Sequence, residues 1–350
     1  MVGYGILEPL MEDPSITEIM VNGPHRVFVE RGGRLESVDI SFRDESQLSD
    51  LISRMVAPLG RRIDASCPYV DGRLPDGSRI NAIIPPLSLC GPVLTIRKFS
   101  SRALSLSDLV GLGSLNEEMA DFLALAIRGR LNVLISGGAG SGKTTTLNAL
   151  VSSLPASERI LTIEDAAELH LDLSHVVSLE CRPANAEGRG EVTIRQLLRN
   201  ALRMRPDRIV VGECRGEEAV DMLQAMNTGH PGSACTVHAN SAFDALTRLE
   251  NMVSMGDATL PLSAIRAQVR SALDVVIHQV RFPDGSRKIA EVALVRDDDP
   301  PLRLLFRYCG GSDGGFRRLA GVPLTPLQQE KLQREGLTVP AWLREKEGPV

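Results

Sequence analysis

Residues 137–144 read Gly-Gly-Ala-Gly-Ser-Gly-Lys-Thr, a G-x-x-x-x-G-K-T pattern that starts at Gly137 and ends at Thr144. Leu131, Val133, Leu134 and Ile135 precede it, and a helix-forming stretch follows. A buried strand, a glycine turn and a helix in that order are the setting in which the pattern holds phosphate. Gly137, Gly138, Gly140 and Gly142, with the small Ala139 and Ser141 among them, let successive backbone N–H groups turn toward phosphate oxygens. The helix that begins near Gly142 aims its positive end at the same place. Lys143 has the reach for β- and γ-phosphates, the Thr144 hydroxyl can ligate Mg²⁺, and Thr145 continues the hydroxyl run. The expectation is a site for a nucleoside triphosphate.

Hydrolysis at such a loop needs an acid to support Mg²⁺ and a group to orient water. Both should stand at the carboxyl ends of strands bordering the loop. Glu164 ends the strand Ile-Leu-Thr-Ile at 160–163, and Glu213 ends Arg-Ile-Val-Val-Gly at 208–212. In a RecA-type sheet the strand after the P-loop helix carries the water-orienting acid, and the next strand carries the metal-side acid. That logic gives water to Glu164 and Mg²⁺ to Glu213. The reverse assignment stays open, as does Asp165 as the working acid. His230 and His238 stand eight apart with a strand between, which is not zinc-ligand spacing. His238, at its strand end, can touch a γ-phosphate, with Thr228, His230 and Asn240 as polar neighbours. Arg195, Arg199, Arg203 and Arg205 share one helix, and Arg73, Arg79 and Arg97 lie earlier in the chain. As a set they suggest a nucleotide gripped between two domains.

These residues must be carried by two α/β regions. Residues 1–99 read as a small α/β domain with strands at 18–22, 26–30, 35–40 and 93–97, a helix over 44–59 and a two-armed turn over 70–84. Asp44 and Gln47 are placed to cap that helix. Residues 100–115, rich in Ser, Leu and Gly, read as a linker. From 116 to 296 helix and strand alternate, as a parallel sheet covered by helices requires. A hairpin around Pro-Asp-Gly at 283–285 closes that region. Residues 297–350 are charged and rich in Pro and Gly, with a loop at 310–315 and a short helix at 327–335, and read as an appendage.

The composition bounds the function. Of 350 residues 43% are hydrophobic, 24% charged and 3% aromatic, and the net charge is −5. An acidic, aromatic-poor chain is a poor candidate for broad nucleic-acid binding. Cys67, Cys90, Cys181, Cys214, Cys235 and Cys309 are scattered without a C-x-x-C pair, which fits reduced thiols in a cytosol. No apolar run approaches the roughly 18 residues of a membrane helix. Any role at a membrane is expected to come through a partner.

Four boxes carry a family likeness: GGAGSGKTTTLNAL, TIEDAAEL, LLRNALRMRPDRIVVGECRG and MNTGHPGSACTVHANS, in that order. Together they resemble the type II and type IV secretion ATPase superfamily, which powers secretion and type IV pili. The stretches GRRIDASCPYVDGRLPDGSRINAII and GPVLTIRKF are similar to its CpaF-like branch, which serves tight-adherence pili. The likeness covers residues 3–295. It implies a RecA-like P-loop domain behind a smaller N-terminal α/β domain, assembled as a hexameric ring. It also implies ATP and Mg²⁺ at the cleft between domains, with arginines matching Arg73 and Arg97 reaching across. The partner implied is an inner-membrane platform protein, the place the cytoplasmic face of that membrane, and the work pilus assembly or secretion. A DNA-handling or conjugation-type motor with the same core is the alternative, and an ATP-binding switch that hardly hydrolyses is a third. Two departures stand out: members of the branch often carry a longer helical region before the first domain, where this sequence starts almost directly on it, and Cys214 and Cys235 stand where Val and Thr are more usual.

Overall fold

The structure is a computed structural model that describes residues 3–99, 103–184, 189–256, 259–310, 315–319 and 321–344. The chain divides into two compact units, Met1–Ser101 and Arg102–Val350. In the first unit, helix α1 (Glu8–Glu12) precedes strands β1 (Ile16–Asn22), β2 (Val27–Arg31) and β3 (Arg34–Val38). Helix α2 (Glu45–Val56) and strands β4 (Tyr69–Arg73), β5 (Arg79–Ile83) and β6 (Val93–Arg97) complete it. The strands form an antiparallel sheet in the order β3-β2-β1-β6-β5-β4. The helical spacing in α2 buries Leu48, Leu51, Ile52, Met55 and Val56 against Ile19, Val21, Ile80 and Leu94 of the sheet. Asp44 caps α2 by accepting from the Gln47 amide at 2.8 Å, while Gln47 Oε1 accepts from the Arg43 amide. Register pairs Arg73 with Arg79 and Arg79 with Arg97, so three arginines stand in one row across neighbouring strands.

The second unit begins with helices α3 (Leu106–Gly111) and α4 (Glu117–Arg128), strand β7 (Val133–Gly137) and helix α5 (Lys143–Val151). Strands β8 (Ile160–Glu164) and β9 (Val176–Glu180), helix α6 (Ile194–Ala201), strand β10 (Arg208–Val211) and helix α7 (Glu218–Asn227) follow. Then come strand β11 (Ala234–Val237) and helices α8 (Ala242–Gly256) and α9 (Leu262–Ala272). Strands β12 (Val275–Arg281), β13 (Arg287–Val295), β14 (Leu302–Cys309) and β15 (Gly315–Arg318) precede the last helix, α10 (Pro326–Arg334). Among the described residues the sheet order is β15-β14-β13-β12-β7-β11-β10-β8-β9. From β12 to β9 the neighbours run parallel, and β13 to β15 add on antiparallel. Strands β7, β8, β10 and β11 are buried throughout, as sheets with helices on both faces require.

Two boundaries differ from the sequence reading. The supposed linker 100–115 contains α3, capped reciprocally by Ser105 and Asp108, with Leu106 and Leu109 in the core beside Val133 and Ile135. Its Ser/Gly content suggested a loop, yet Ser105-x-x-Asp108, with Leu106 inside it and Leu109 after it, is a helix start; residues 100–102 lie outside the described residues. The tail 297–350 is no appendage, because β14 and β15 extend the sheet, and Phe306, Leu324, Leu332 and Leu343 join the same core. Phe306 sits 5.9 Å from the Phe122 ring and 5.9 Å from Trp342, ring centre to ring centre. Of the expected 310–315 loop, 311–314 lie outside the described residues. Half-exposed β9 and the two added strands escaped the sequence reading, since none is a strong apolar run.

Polar clasps fix the amino ends of the parallel strands. Arg208, fully buried, grips Glu158 with two nitrogens and donates to the carbonyls of Ile127 and Gly232. Asn132 Oδ1 accepts from the amides of Gly232 and Ser233, and the Asn132 amide donates to Asp274. Lys331 of α10 reaches that same Asp274 at 2.6 Å. No helix among the described residues is long and apolar enough to cross a membrane.

If the tail is core, Phe306→Ala should cost about 3–5 kcal/mol in the unfolding of the second unit, read by denaturant melts of the whole chain. A loss under about 1 kcal/mol would return the tail to the status of an appendage.

Candidate nucleotide site at the carboxyl ends of the parallel strands

Strand β7 delivers the chain into the glycine loop, and α5 leaves it at Lys143. Gly137 and Gly142 take φ values of +155° and +96°, which side-chain-bearing residues rarely adopt. Both back onto Gln279 of β12: its carbonyl crowds Gly137, and a methyl at Gly142 would lie 2.9 Å from its amide nitrogen. Gln279 Oε1 also accepts from the Thr146 hydroxyl at 2.8 Å. Arg287 Nε donates to the Gly140 carbonyl at 2.9 Å, and Arg281 lies beside the same glycine. Gly138, Ala139 and Gly140 are exposed, while Thr144 and Thr145 are half-buried on the first turn of α5. Lys143 is buried and donates to the Gly138 carbonyl at 2.9 Å. The buried Ser141 hydroxyl has no hydrogen-bond partner among the described residues.

The expectation that the strands of Glu164 and Glu213 border the P-loop strand is corrected. Strand β7 is flanked by β11 and β12, with β10 one strand further and β8 two. His238 closes the gap. Its Nδ1 lies 3.5 Å from Lys143 Nζ, and its Nε2 lies 2.9 Å from Glu213 Oε1. Burial first, and Lys143 next, hold the imidazole pKa below its ordinary value, so the ring is neutral at pH 7. With Nδ1 facing an ammonium, the ring proton is assigned to Nε2. Glu213 Oε1 nevertheless accepts no aligned hydrogen bond. Its other oxygen, Oε2, takes Arg215 Nη2 at 2.7 Å, and Arg215 Nη1 lies 3.2 Å from Asp165. One polar line thus crosses the ends of β7, β11, β10 and β8.

Glu164 is almost completely buried and lies tight against Gly212, where a methyl would meet its Cγ at 2.9 Å. Its Oε1 accepts from the amides of Glu168 and Leu169, while Oε2 is buried without a partner. Burial outweighs the two amide bonds and pushes the carboxyl up to about 7.

Other expectations shift. His230 does not join the site, because it precedes β11, at the amino end of the sheet, whereas the loop lies at the carboxyl end. At about 3.3 Å per residue the strand between His230 and His238 spans about 10 Å. Arg195 and Arg199 hold Asp221 of α7 at 2.7 and 2.8 Å, which ties α6 to α7 rather than to a ligand. Arg73 and Arg97 lie in the first unit, Arg73 near the Phe99 ring and Arg97 half-exposed 3.9 Å from Glu18. Cys214 and Cys235 are buried, free thiols. Gln279, Arg281, Arg287 and Arg215 were not foreseen. Only Arg215, two residues past Glu213, carried a local signal.

The raised carboxyl of Glu164 has a pH signature. An acid whose folded pKa exceeds its ordinary 4.5 adds stability that is full below about 4.5 and lost as pH rises through about 7. Relative to Glu164→Gln, the unaltered chain should therefore lose melting temperature between pH 5 and 8. A constant difference across that range would refute a buried carboxyl that titrates late.

The family described as "Type II/IV secretion system protein" matches residues 2–296. A Mycobacterium tuberculosis protein provisionally named for conjugal transfer is 42% identical over 302 residues, 85% of each chain. The type IV secretion system protein PtlH of Bordetella pertussis is 37% identical over 324 residues, 84% of this chain and 94% of its own. The crystal structure of the Legionella pneumophila ATPase DotB superposes with a TM-score of 0.59 at 24% identity, over 83% of this chain and 79% of that one. With a RecA-like sheet order and a glycine-lysine loop at its carboxyl edge, this chain belongs to the type II/IV secretion system protein family.

Proposed function

We propose that this chain is a Mg²⁺-dependent ATP hydrolase, the motor of a secretion or pilus machine, working as a homo-oligomer and in ring form a hexamer. The observation that carries the reading is the meeting of Lys143, His238 and Glu213 over a loop with buried, unsatisfied oxygens. Ser141 Oγ and Glu213 Oε1 cost free energy if left unpaired, and a hydrated cation with phosphates would satisfy both. The donor set fits Mg²⁺, a hard cation that takes oxygen ligands, with Thr144 and Glu213 as the protein's share. When bound, Mg²⁺ supplies charge neutralisation on the phosphate oxygens.

The rest belongs to the chain's own residues. Lys143 exchanges the Gly138 carbonyl for phosphate oxygen, and the loop amides from 138 to 145 hold the remaining oxygens. Glu164, with an unfilled oxygen and a carboxyl poised near neutrality, polarises the attacking water. His238 spans Lys143 and Glu213, so departure of the γ-phosphate changes what it touches on both sides. The family likeness further implies Arg73 and Arg97, of the arginine row in the first unit, as the cations that neutralise charge on the transferred group. The motor acts at the cytoplasmic face of the inner membrane through a platform protein. The names of its relatives favour conjugation or type IV secretion over tight-adherence pili. With a net charge of −5, the chain would handle DNA through partners rather than grip it directly.

Phosphate release from ATP tests the reading. Lys143→Ala should cut turnover at least about 100-fold. Glu213→Gln should keep nucleotide binding yet lose about 10²–10³ in kcat. Full turnover in either variant would remove that residue from the chemistry.

A further inference from the structure

Arg215 lies outside the four roles just given, yet it joins the two acids Glu213 and Asp165. Its Nη2 donates to Glu213 Oε2 at 2.7 Å, and its Nη1 stands 3.2 Å from Asp165 Oδ2. The two carboxylates come from the ends of different strands, β10 and β8, and the planar guanidinium spans them in one fork. Lysine could not do this from a single nitrogen. Glu213 is thereby held by one oxygen, and the other, Oε1, is left buried, facing His238 and without an aligned donor. The guanidinium itself is 58% exposed, so the pair contributes little to folding.

We propose that Arg215 is a positioning residue for the hydrolytic site: anchored on Asp165, it fixes Glu213 so that Oε1 alone is presented to the metal–nucleotide group. The proposal rests on the reading of Glu213 as the metal-side acid. Arg215 touches neither phosphate nor water in this role and acts only through the carboxylate. Asp165, weighed above as a working acid, becomes the anchor that keeps the fork in place.

Two readouts test it, both on the full chain. In turnover, Arg215→Ala should lower kcat about 10- to 100-fold with KM for ATP within about twofold, because Glu213 remains but wanders. Arg215→Lys should fall between the two. Asp165→Asn should act in the same direction but less, and the Asp165→Asn/Arg215→Ala pair should be no worse than Arg215→Ala alone, as expected of two parts of one device. The second readout is ADP binding by calorimetry. In Arg215→Ala the affinity in EDTA should match the unaltered chain, while the gain in affinity on adding Mg²⁺ should shrink several-fold. Full or increased kcat in Arg215→Ala overturns the proposal, as does an equal loss of ADP affinity with and without Mg²⁺, which would mean a disturbed loop. If Glu213→Gln is impaired while Arg215→Ala is normal, the positioning idea alone fails. If the unaltered chain does not turn over ATP, the motor reading fails and this proposal with it.

Discussion

The site turns on a buried ammonium held by a backbone oxygen of its own loop. Lys143 sits at the first turn of α5, removed from water, and leans on the Gly138 carbonyl and the His238 ring. Next to it the charges alternate along the sheet edge: neutral His238, then Glu213, then Arg215, then Asp165. The groups come from the segments that follow β7, β11, β10 and β8, Glu213 and Arg215 both after β10, and the order β7-β11-β10-β8 puts them in line. No two neighbours in the line carry the same sign. Within that line Glu213 Oε1 is the buried oxygen without an aligned donor, 2.9 Å from His238 Nε2.

The line can hold its spacing because the other end of the sheet is locked. Arg208 and Glu158 form a buried bidentate pair, which is costly to desolvate and is repaid by the carbonyls of Ile127 and Gly232. Asn132 and Asp274 join the start of β7 to the loop before β11 and, through Lys331, to α10. A rigid amino end and a polar carboxyl end divide the labour of the parallel sheet: one fixes the strands, the other carries the exchangeable contacts. The β12–β13 hairpin adds a third hold, with Gln279 and Arg287 pressed on the loop glycines. Lys288 Nζ bonds the Gly113 carbonyl and the Ile289 amide bonds that of Ser114, so the same hairpin is tied to the segment just after α3.

What could be read from the sequence depended on whether the determinant was local. The glycine loop, the strand-end acids and His238 announce themselves by short spacing around a strong apolar run. Helix α2 was legible for the same reason, its buried stripe recurring every three or four residues. His230 was misplaced because two histidines close in sequence can stand at opposite ends of the strand between them. The linker and the tail were misread because composition is a weak guide where a reciprocal cap or one buried phenylalanine decides the packing. Gln279 lies more than a hundred residues from the loop it braces, so only the sheet order brings it there. Pairings such as Arg195 with Asp221 likewise belong to tertiary contact, and a helix rich in arginine does not reveal its partner beforehand.

In the motor proposed above, this polar line turns over ATP within an assembly. The most direct measurement is steady-state phosphate release from ATP in Mg²⁺, taken together with the mass of the chain in solution over a wide range of protein concentration. For such a motor, activity per chain should rise with concentration in step with a sixfold increase in mass, and both should fall when Mg²⁺ is chelated. Absence of hydrolysis at every concentration would rule out the motor, and full activity from a monomer would rule out catalysis within an assembly.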